Sequence, residues 1–267
     1  MDKTSLGDRM KCYEAAYNFM FPIRLPLMLR LDGVHFSKNV KRWKSKKPYD
    51  ARLSYAMQMT CKGLAEKIPG VQLVYSQSDE ISILIRDDMS NDTQPWHGKE
   101  LNKIMSIASA KASNLFNYYF FQNADAAYEE LAEFDCRGYI VPEYEVFNAF
   151  LWRQRDCTKN SVSMLARTLF STKQLHKKNG SEMQDMMMLQ HGVNWNDMPT
   201  AFKRGFCVVK KDMPKEVPAR DENRKVIPGK METIMRPEWV VDLEIPIFTQ
   251  EPEYVTRFTR NSEWKEN

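Results

Sequence analysis

Alternating apolar and polar residues mark three segments of the chain as strands. The first runs from Ile23 to Leu31 and carries an apolar side chain at every odd position. Two shorter apolar runs, Val71–Tyr75 and Ile81–Ile85, are separated by five residues. Period-two alternation is typical of a half-buried strand, and two strands with a short connection predict a β-hairpin. The first third of the chain is therefore predicted to hold one strand and then a hairpin.

Helical periodicity separates and follows these strands. Asp50 fits the N-cap of a helix that ends at Pro69-Gly70. A second amphipathic helix is predicted from about Lys99 to Tyr119, followed by a short strand at Arg137–Pro142. The element order βαββαβ predicts an α+β fold with a ferredoxin-like, polymerase-palm-like core and helices on one face of an antiparallel sheet.

The second half of the chain is predicted to be an extension of this core. Helical spacing resumes at Glu143, is interrupted near Asp156–Asn160 and continues to Leu169. Strands are predicted on either side of a polar, proline-bearing loop between about 209 and 239. We expect residues 1–142 to form the catalytic core with its N-terminal segment, and residues 143–267 to pack on it as one unit.

Carboxylates stand where these strands end. Asp32 follows the first strand, and Asp79 and Glu80 lie at the tip of the hairpin. An Asp-Gly or Ser-Asp pair is also ordinary turn chemistry. The joint order strand, acid, helix, strand, acid, strand is the layout of a nucleotidyltransferase or cyclase palm, and it favours a divalent metal site that serves phosphoryl transfer.

Composition narrows the class of protein. Of the 267 residues, 43% are hydrophobic, which is ample for a buried core. We see no stretch of 18 apolar residues and no signal-like N-terminus, so we expect a cytoplasmic protein with no membrane partner. Five widely spaced cysteines and four scattered histidines indicate neither a disulfide framework nor a zinc site.

A basic segment follows Asp32 and could meet phosphates. Such a run is usually a solvated loop, but this one precedes the next helix and would overhang the acids. We therefore expect five of its cations, Lys38, Lys41, Arg42, Lys44 and Lys46, to attract phosphates such as those of a nucleic acid.

Six segments in register resemble the histidine-tRNA guanylyltransferase family and its relatives, the 3′–5′ RNA polymerases. The resemblance spans roughly residues 20–210. The segments are Arg30-Leu31-Asp32-Gly33-x-x-Phe36, Lys47-Pro48-x-Asp50, Tyr75-x-Gln77-Ser78-Asp79-Glu80, Lys103, Trp152-Arg153-Gln154-x-Asp156-Cys157 and Lys203-Arg204-Gly205.

The resemblance implies a mechanism and a set of site residues. Asp32, Asp79 and the Gly33 carbonyl would bind two Mg²⁺ ions, with Glu80 supporting the metal site; these acids are the predicted catalytic residues. ATP or GTP would activate a tRNA 5′-monophosphate, and nucleoside triphosphates would then be added in the 3′–5′ direction. The resemblance also suggests a homotetramer. It assigns nucleotide contacts to Lys47, Ser78, Lys103, Asp156 and Asn160.

One departure from the family pattern selects a branch. Members dedicated to histidine tRNA carry His-Ile-Asn-Asn after the Asp-Cys pair, where this chain has Thr158-Lys159-Asn160-Ser161. The sequence is therefore identified with the guanylyltransferase-like branch, which repairs tRNA 5′ ends by template-directed addition. The alternatives are a tRNA(His) guanylyltransferase, a nucleotide cyclase, which needs no RNA surface, and an RNA-binding module without catalysis.

Overall fold

A computed structural model describes residues 5–89, 92–122, 130–220, 222 and 225–259. Its strands are β1 Leu27–Gly33, β2 Val71–Gln77, β3 Glu80–Ile85, β4 Phe134–Ile140, β5 Phe206–Arg220 and β6 Val226–Asp242. Its α-helices are α1 Leu6–Ala15, α2 Phe36–Arg42, α3 Ala51–Lys67, α4 Leu101–Phe120, α5 Val146–Leu169, α6 Thr172–Leu175, α7 Gly180–His191, α8 Thr200–Arg204 and α9 Glu253–Thr256. In this part of the chain, none of the helices is long and apolar enough to cross a membrane.

All six strands form one antiparallel sheet in the order β4-β1-β3-β2-β5-β6. The hairpin and the helices α3 and α4 match the predicted elements, and Asp50 caps α3 by accepting a hydrogen bond from the Leu53 amide at 3.0 Å. The first strand begins later than predicted, at Leu27. Arg24 has a left-handed φ of 63°, and the side chains of Ile23 and Leu25 are exposed. The α+β fold class is confirmed.

The sheet buries a separate core on each face. Leu27, Leu29 and Leu31 of β1 point into the first core, which α3 and α4 cover. Met28, on the opposite face, joins a second core under α5, where Phe147 is also buried. The prediction of helices on one face thus holds for α3 and α4, whereas α5 covers the other face.

The end of the described chain completes the second core. Arg86, fully buried just beyond β3, donates hydrogen bonds to the Glu143 carboxylate and, at 3.3 Å, to the Phe258 carbonyl. Arg86 thus ties both the turn that leads into α5 and the end of the described chain to the end of β3. The buried apolar side chains from the last segment are Ile245, Phe248 and Val255.

α5 is continuous, so the predicted break near Asp156–Asn160 was wrong. Asp and Asn disfavour helix interiors because their side chains compete for backbone hydrogen bonds. Here the side chains bond each other instead: the Asn160 amide donates to the Asp156 carboxylate at 3.2 Å, and Arg153 bonds the same carboxylate at 2.9 Å. With those polar groups satisfied along one side of the helix, the backbone continues to Leu169.

The predicted loop between 209 and 239 is also wrong over most of its length, because the residues up to Arg220 and from Val226 onward form a long two-stranded ribbon. β5 and β6 pair from Cys207 with Asp242 out to Arg220 with Val226. The strands contain four prolines, at 214, 218, 228 and 237. Each strand of the ribbon beyond the main sheet has an unpaired edge, where proline is tolerated. The charged and proline-bearing composition of this segment is typical of a loop, although the segment forms strands.

Candidate active site

The predicted acids converge where β1 and the β2–β3 hairpin end. The Gly33 amide donates a hydrogen bond to the Asp79 carbonyl at 3.1 Å, which ties the end of β1 to the hairpin tip. Asp32 pairs in register with Glu80. Residues two apart on a strand share a face, so Arg30 and Asp32 point toward the side of the sheet that α5 covers. The structure thus brings Asp32, Gly33, Asp79 and Glu80 together.

Gly33 is required by close packing at this end of β1. A Cβ at this position would collide with the Phe36 ring. That ring is buried and packs edge-on against Trp43 and Phe134, with ring centroids 5.3 and 5.2 Å away. The aromatic cluster therefore holds the turn after Asp32 in place and leaves no room for a side chain at Gly33.

The Asp79 carboxylate lies in an environment that opposes its charge. Burial raises the pKa of Asp79, and the charges of Asp32 and Glu80 raise it further. The hydrogen bond from the Ser78 hydroxyl, 2.8 Å long, acts in the opposite direction. Ser78 has a left-handed φ of 50°, as suits a hairpin tip. A cation near Asp32 and Asp79 would relieve this repulsion.

Glu80 is held by an arginine from α5. The Arg153 guanidinium donates to both Glu80 oxygens, at 2.5 and 2.8 Å, and reaches the Asp156 carboxylate at 2.9 Å. Burial raises the pKa of Glu80, while Arg153 lowers it. Asp156 and Asn160, both predicted nucleotide contacts, join this network: Asp156 accepts from Arg153, and Asn160 donates to Asp156.

The acids fit a magnesium ion that retains much of its water. Among the residues that the structure describes, no three His, Cys, Asp or Glu side chains group as a metal cage would. Mg²⁺ commonly binds through one or two carboxylates together with water and substrate phosphates. Asp32 and Asp79 supply two carboxylates that are close enough to interact electrostatically, and that set suits such a site.

A concave pocket of about 350 Å³ opens beside the end of β1. Lys38 and Arg42 of α2 line it together with His35, Asn39 and Glu133. Two cations about one helical turn apart create a local positive potential that suits an anionic group such as a phosphate. Two of the five predicted RNA contacts thus line a pocket close to the end of β1 that carries Asp32.

The rest of the basic segment lies on the surface between α2 and α3. The side chains of Lys41, Lys44, Lys46 and Lys47 are exposed. Tyr49, two residues beyond Lys47, packs edge-on against Phe202 of α8 with ring centroids 6.4 Å apart. The segment therefore runs from α2 toward the helices beyond α5.

Lys103 is not brought to the acids within this chain. It lies in the first turn of α4 and pairs with Glu100 at 2.9 Å. Lys99, just before α4, donates to the Leu25 carbonyl at 3.1 Å, ahead of the start of β1. Asp32 lies at the other end of β1, so Lys103 and the acids lie at opposite ends of the sheet.

Sequence patterns alone assigned no role to Arg153 or to the pocket residues His35 and Glu133. Arg153 lies in the Trp152-Arg153-Gln154 motif, which pointed to the right segment. Its partner Glu80 is 73 positions away along the chain, so the pair could be found only once the two segments were known to meet.

Comparison with known proteins agrees with this geometry. Residues 7–142 match the family model described as Thg1, tRNAHis guanylyltransferase. An uncharacterized protein of Acanthamoeba polyphaga mimivirus is 31% identical over 227 residues, or 77% of each chain. A tRNA(His) guanylyltransferase of Debaryomyces hansenii is 26% identical over 72% of this chain and 76% of its own.

Solved structures give the same assignment. A bacterial tRNA(His) guanylyltransferase (Thg1)-like protein in complex with ATP is 39% identical, with a TM-score of 0.80 over 97% of this chain and 100% of its own. The tRNA(His) guanylyltransferase of Saccharomyces cerevisiae, 19% identical with a TM-score of 0.64 over 74% of this chain and 91% of its own, shares the fold. From the family model and these relatives, the chain belongs to the Thg1 family of tRNA(His) guanylyltransferases and is a nucleotidyltransferase.

Proposed function

We propose that this chain adds nucleotides to tRNA 5′ ends in the 3′–5′ direction and selects them by pairing with the opposite strand. The observation that carries the proposal is the convergence of Asp32, Gly33 and Asp79 at one end of the sheet, beside a pocket that contains Lys38 and Arg42. In this proposal ATP or GTP activates the RNA 5′-monophosphate, and a nucleoside triphosphate then supplies the attacking 3′-hydroxyl.

The site residues have distinct roles in this proposal. Asp32, Asp79 and the Gly33 carbonyl would hold two Mg²⁺ ions, which would polarise the reacting phosphates and stabilise the charge that develops on them. Ser78 orients the Asp79 carboxylate through its hydroxyl. Glu80, whose two oxygens accept hydrogen bonds from Arg153, supports the metal site and fixes the position of Arg153.

The strand order supports a palm-like core. The first four strands follow β4-β1-β3-β2, with α3 and α4 on one face. This order supports a ferredoxin-type βαββαβ unit. Residues 1–142 then form the catalytic half, and residues 143–267 the extension that packs on it. The bacterial Thg1-like protein determined with ATP, and also with GTP at 39% identity, supports either nucleotide as the activator.

Template use is favoured by the segment at Thr158–Ser161, where the family's histidine-tRNA motif is absent. The Thr158 hydroxyl donates to the Gln154 carbonyl at 3.1 Å, and the Ser161 hydroxyl bonds within α5 and to the Lys203 carbonyl. Short side chains that bond their own and neighbouring backbone are poorly placed to read a particular tRNA. Base pairing would then carry the specificity.

A tRNA(His) guanylyltransferase is the second candidate. Relatives with that name cover about three quarters of this chain, at 24–26% identity in two yeasts. Such an enzyme would add guanosine to histidine tRNA whatever base stands opposite. A cyclase is disfavoured, since the basic segment around α2 would have no purpose without RNA.

The expected homotetramer is supported by the N-terminal segment. None of the α1 side chains is buried, and several large apolar side chains are exposed in and after this helix. Lys103 lies at the opposite end of the sheet from Asp32, so a nucleotide contact from Lys103 would be made in a neighbouring subunit; Asn102, beside it, bonds the Tyr17 carbonyl of the N-terminal segment at 3.2 Å. The exposed apolar residues of this segment are Leu6, Met10, Tyr13, Tyr17, Phe19, Met20, Ile23 and Leu25.

Truncated tRNAs test the proposal. A tRNA lacking its first nucleotide is offered with cytidine or adenosine at the opposite position, and the added nucleotide is identified by sequencing. We expect guanosine opposite cytidine and uridine opposite adenosine. Addition of guanosine to both, together with strong preference for histidine tRNA, would establish the second candidate instead.

A further inference from the structure

An exposed tryptophan stands beside the catalytic acids. Trp152 is 53% exposed although it lies in the second turn of α5, next to Phe150 and Leu151, which are buried. Of the tryptophans in the described chain, it alone is among the exposed large apolar side chains. An indole left in water loses the free energy that its burial would gain. Its exposure therefore favours a role in binding.

Two guanidinium groups hold the Trp152 ring. Arg153 lies 4.5 Å from the ring centroid and is itself fixed by Glu80. Arg30 approaches the ring at 5.4 Å and lies two residues before Asp32 on the same face of β1. The ring is therefore held by Arg30, whose backbone lies about 7 Å along β1 from Asp32, the acid that the proposed function assigns to metal.

The surroundings of the ring suit a nucleic acid strand. Arg137 pairs in register with Arg30, and its side chain is 58% exposed, with Asp135 as a partner at 3.4 Å. An indole face with cations on the neighbouring strands offers stacking for a base and attraction for the backbone phosphate. A nucleobase stacked on an aromatic ring gains affinity without being identified, which is compatible with nucleotide choice by pairing.

We propose that Trp152, with Arg30, is the stacking platform for the 5′-terminal base of the RNA. This inference rests on the proposed function and names the residue that positions its substrate. RNA is favoured over the free nucleotide because Arg30 and Arg137 continue the positive charge beside the ring on two neighbouring strands, as a chain of several phosphates requires.

Fluorescence of a modified RNA tests the platform without requiring turnover. The probe is a 5′-monophosphorylated RNA hairpin whose terminal base is 2-aminopurine, which is quenched on stacking; 2-aminopurine riboside triphosphate serves as the free-nucleotide arm. Trp152→Leu keeps an apolar side chain without a ring, and Trp152→Phe keeps a ring. Tyr144→Leu is the matched control, because Tyr144 is 69% exposed just ahead of α5, toward the other end of the sheet.

We expect wild type, Trp152→Phe and Tyr144→Leu to quench the hairpin, and Trp152→Leu to lose the quench and weaken RNA binding roughly 5- to 150-fold, as the loss of one base stack predicts. If Trp152→Leu quenches and binds the RNA hairpin as well as the wild type does, Trp152 is not the stacking platform. Quenching of the free nucleotide but not of the hairpin would also overturn the proposal. If Trp152→Leu fails to fold, Trp152→Gln takes its place with the same expectation. A wild type that shows Trp152-dependent quenching yet adds no nucleotide would retain the platform and refute the proposed function.

Discussion

The Arg153 guanidinium grips the Glu80 carboxylate through two hydrogen bonds and so joins α5 to the hairpin that carries Asp79. Side-chain exposure is 9% for Arg153 and 14% for Glu80. A pair this sheltered leaves a buried, uncompensated charge when one partner is removed.

Arg153→Met should therefore destabilise the protein at pH 7.5 by about 3 kcal/mol, measured by urea unfolding. Arg137→Met is the control, because the Arg137–Asp135 pair has side-chain exposures of 58% and 47% and should cost below about 1 kcal/mol. Similar losses in both variants would show that Arg153 does not act as a buried partner.

Asp79→Asn should raise stability at neutral pH while abolishing nucleotide addition. Burial and the charges of Asp32 and Glu80 raise the pKa of Asp79. A carboxyl with a raised folded-state pKa loses stability as the pH rises from its unfolded pKa through its folded pKa, and the loss persists above that interval. Asparagine carries no charge, so the variant should unfold roughly 2–4 °C higher at pH 7.5 and show no gain below the unfolded pKa.

Thermal unfolding at a series of pH values checks this expectation. Asp135→Asn is the control, since Asp135 lies in register with Asp32 but its side chain is 47% exposed, and we expect little change. A stability gain in Asp79→Asn that is the same at all pH values would contradict the electrostatic explanation.

Magnesium should stabilise the wild type through the same two carboxylates. At a Mg²⁺ concentration ten times the dissociation constant, linkage gives about 1.4 kcal/mol, measured as a rise in melting temperature in the absence of nucleotide. The double variant Asp32→Asn, Asp79→Asn should show no rise. Potassium chloride at equal ionic strength controls for screening, and an equal magnesium effect in the double variant would place the metal elsewhere.

Neutralising the basic segment should weaken RNA binding and flatten its salt dependence. Each lost duplex phosphate contact should reduce the slope of log K against log salt by about 0.9, read from filter binding between 50 and 200 mM salt. The five substituted cations are Lys38, Lys41, Arg42, Lys44 and Lys46. Lys173 and Lys177, exposed cations near α6, are the control sites, where substitution should leave the slope unchanged.

Lys47→Ala should act differently from that set. Under the proposed function Lys47 contacts the triphosphate, so the variant should raise the KM for nucleotide more than the dissociation constant for tRNA, in steady-state kinetics and binding measured side by side. If Lys47→Ala and the variant with five substitutions change the KM for nucleotide and the dissociation constant for tRNA in the same way, the division between RNA and nucleotide contacts is wrong.

The sequence predicted elements whose pattern is local and strong. The hairpin, α3 and α4 each repeat apolar residues at one period, and each lies where expected. Most of the β5–β6 ribbon was predicted as a loop. At its far end no other element of the described chain covers the two strands, so their side chains are exposed and mostly polar, and the apolar alternation typical of a half-buried strand is missing. The break assigned to α5 failed for a related reason: Asp156 finds its partners in Arg153 and Asn160, which residue preferences alone do not reveal.

The site residues likewise divide into those that the local sequence pattern could identify and those that required the tertiary structure. Asp32 and Asp79 could be identified because each closes an apolar run. The Arg153 clamp and the Arg30–Trp152 contact depend on α5 crossing the sheet above β3 and β1, and that crossing has no signature within a short window of sequence.

The second core also has a consequence for synthesis on the ribosome. It unites Met28 from β1 with Phe248 and Val255 from the last described segment, and Arg86 reaches the Phe258 carbonyl. A nascent chain can pair β1 to β4 early, but the α5 side must wait for nearly 260 residues to emerge. Until then α5 covers an unfinished apolar face, which is the stage at which a growing chain is most exposed to aggregation.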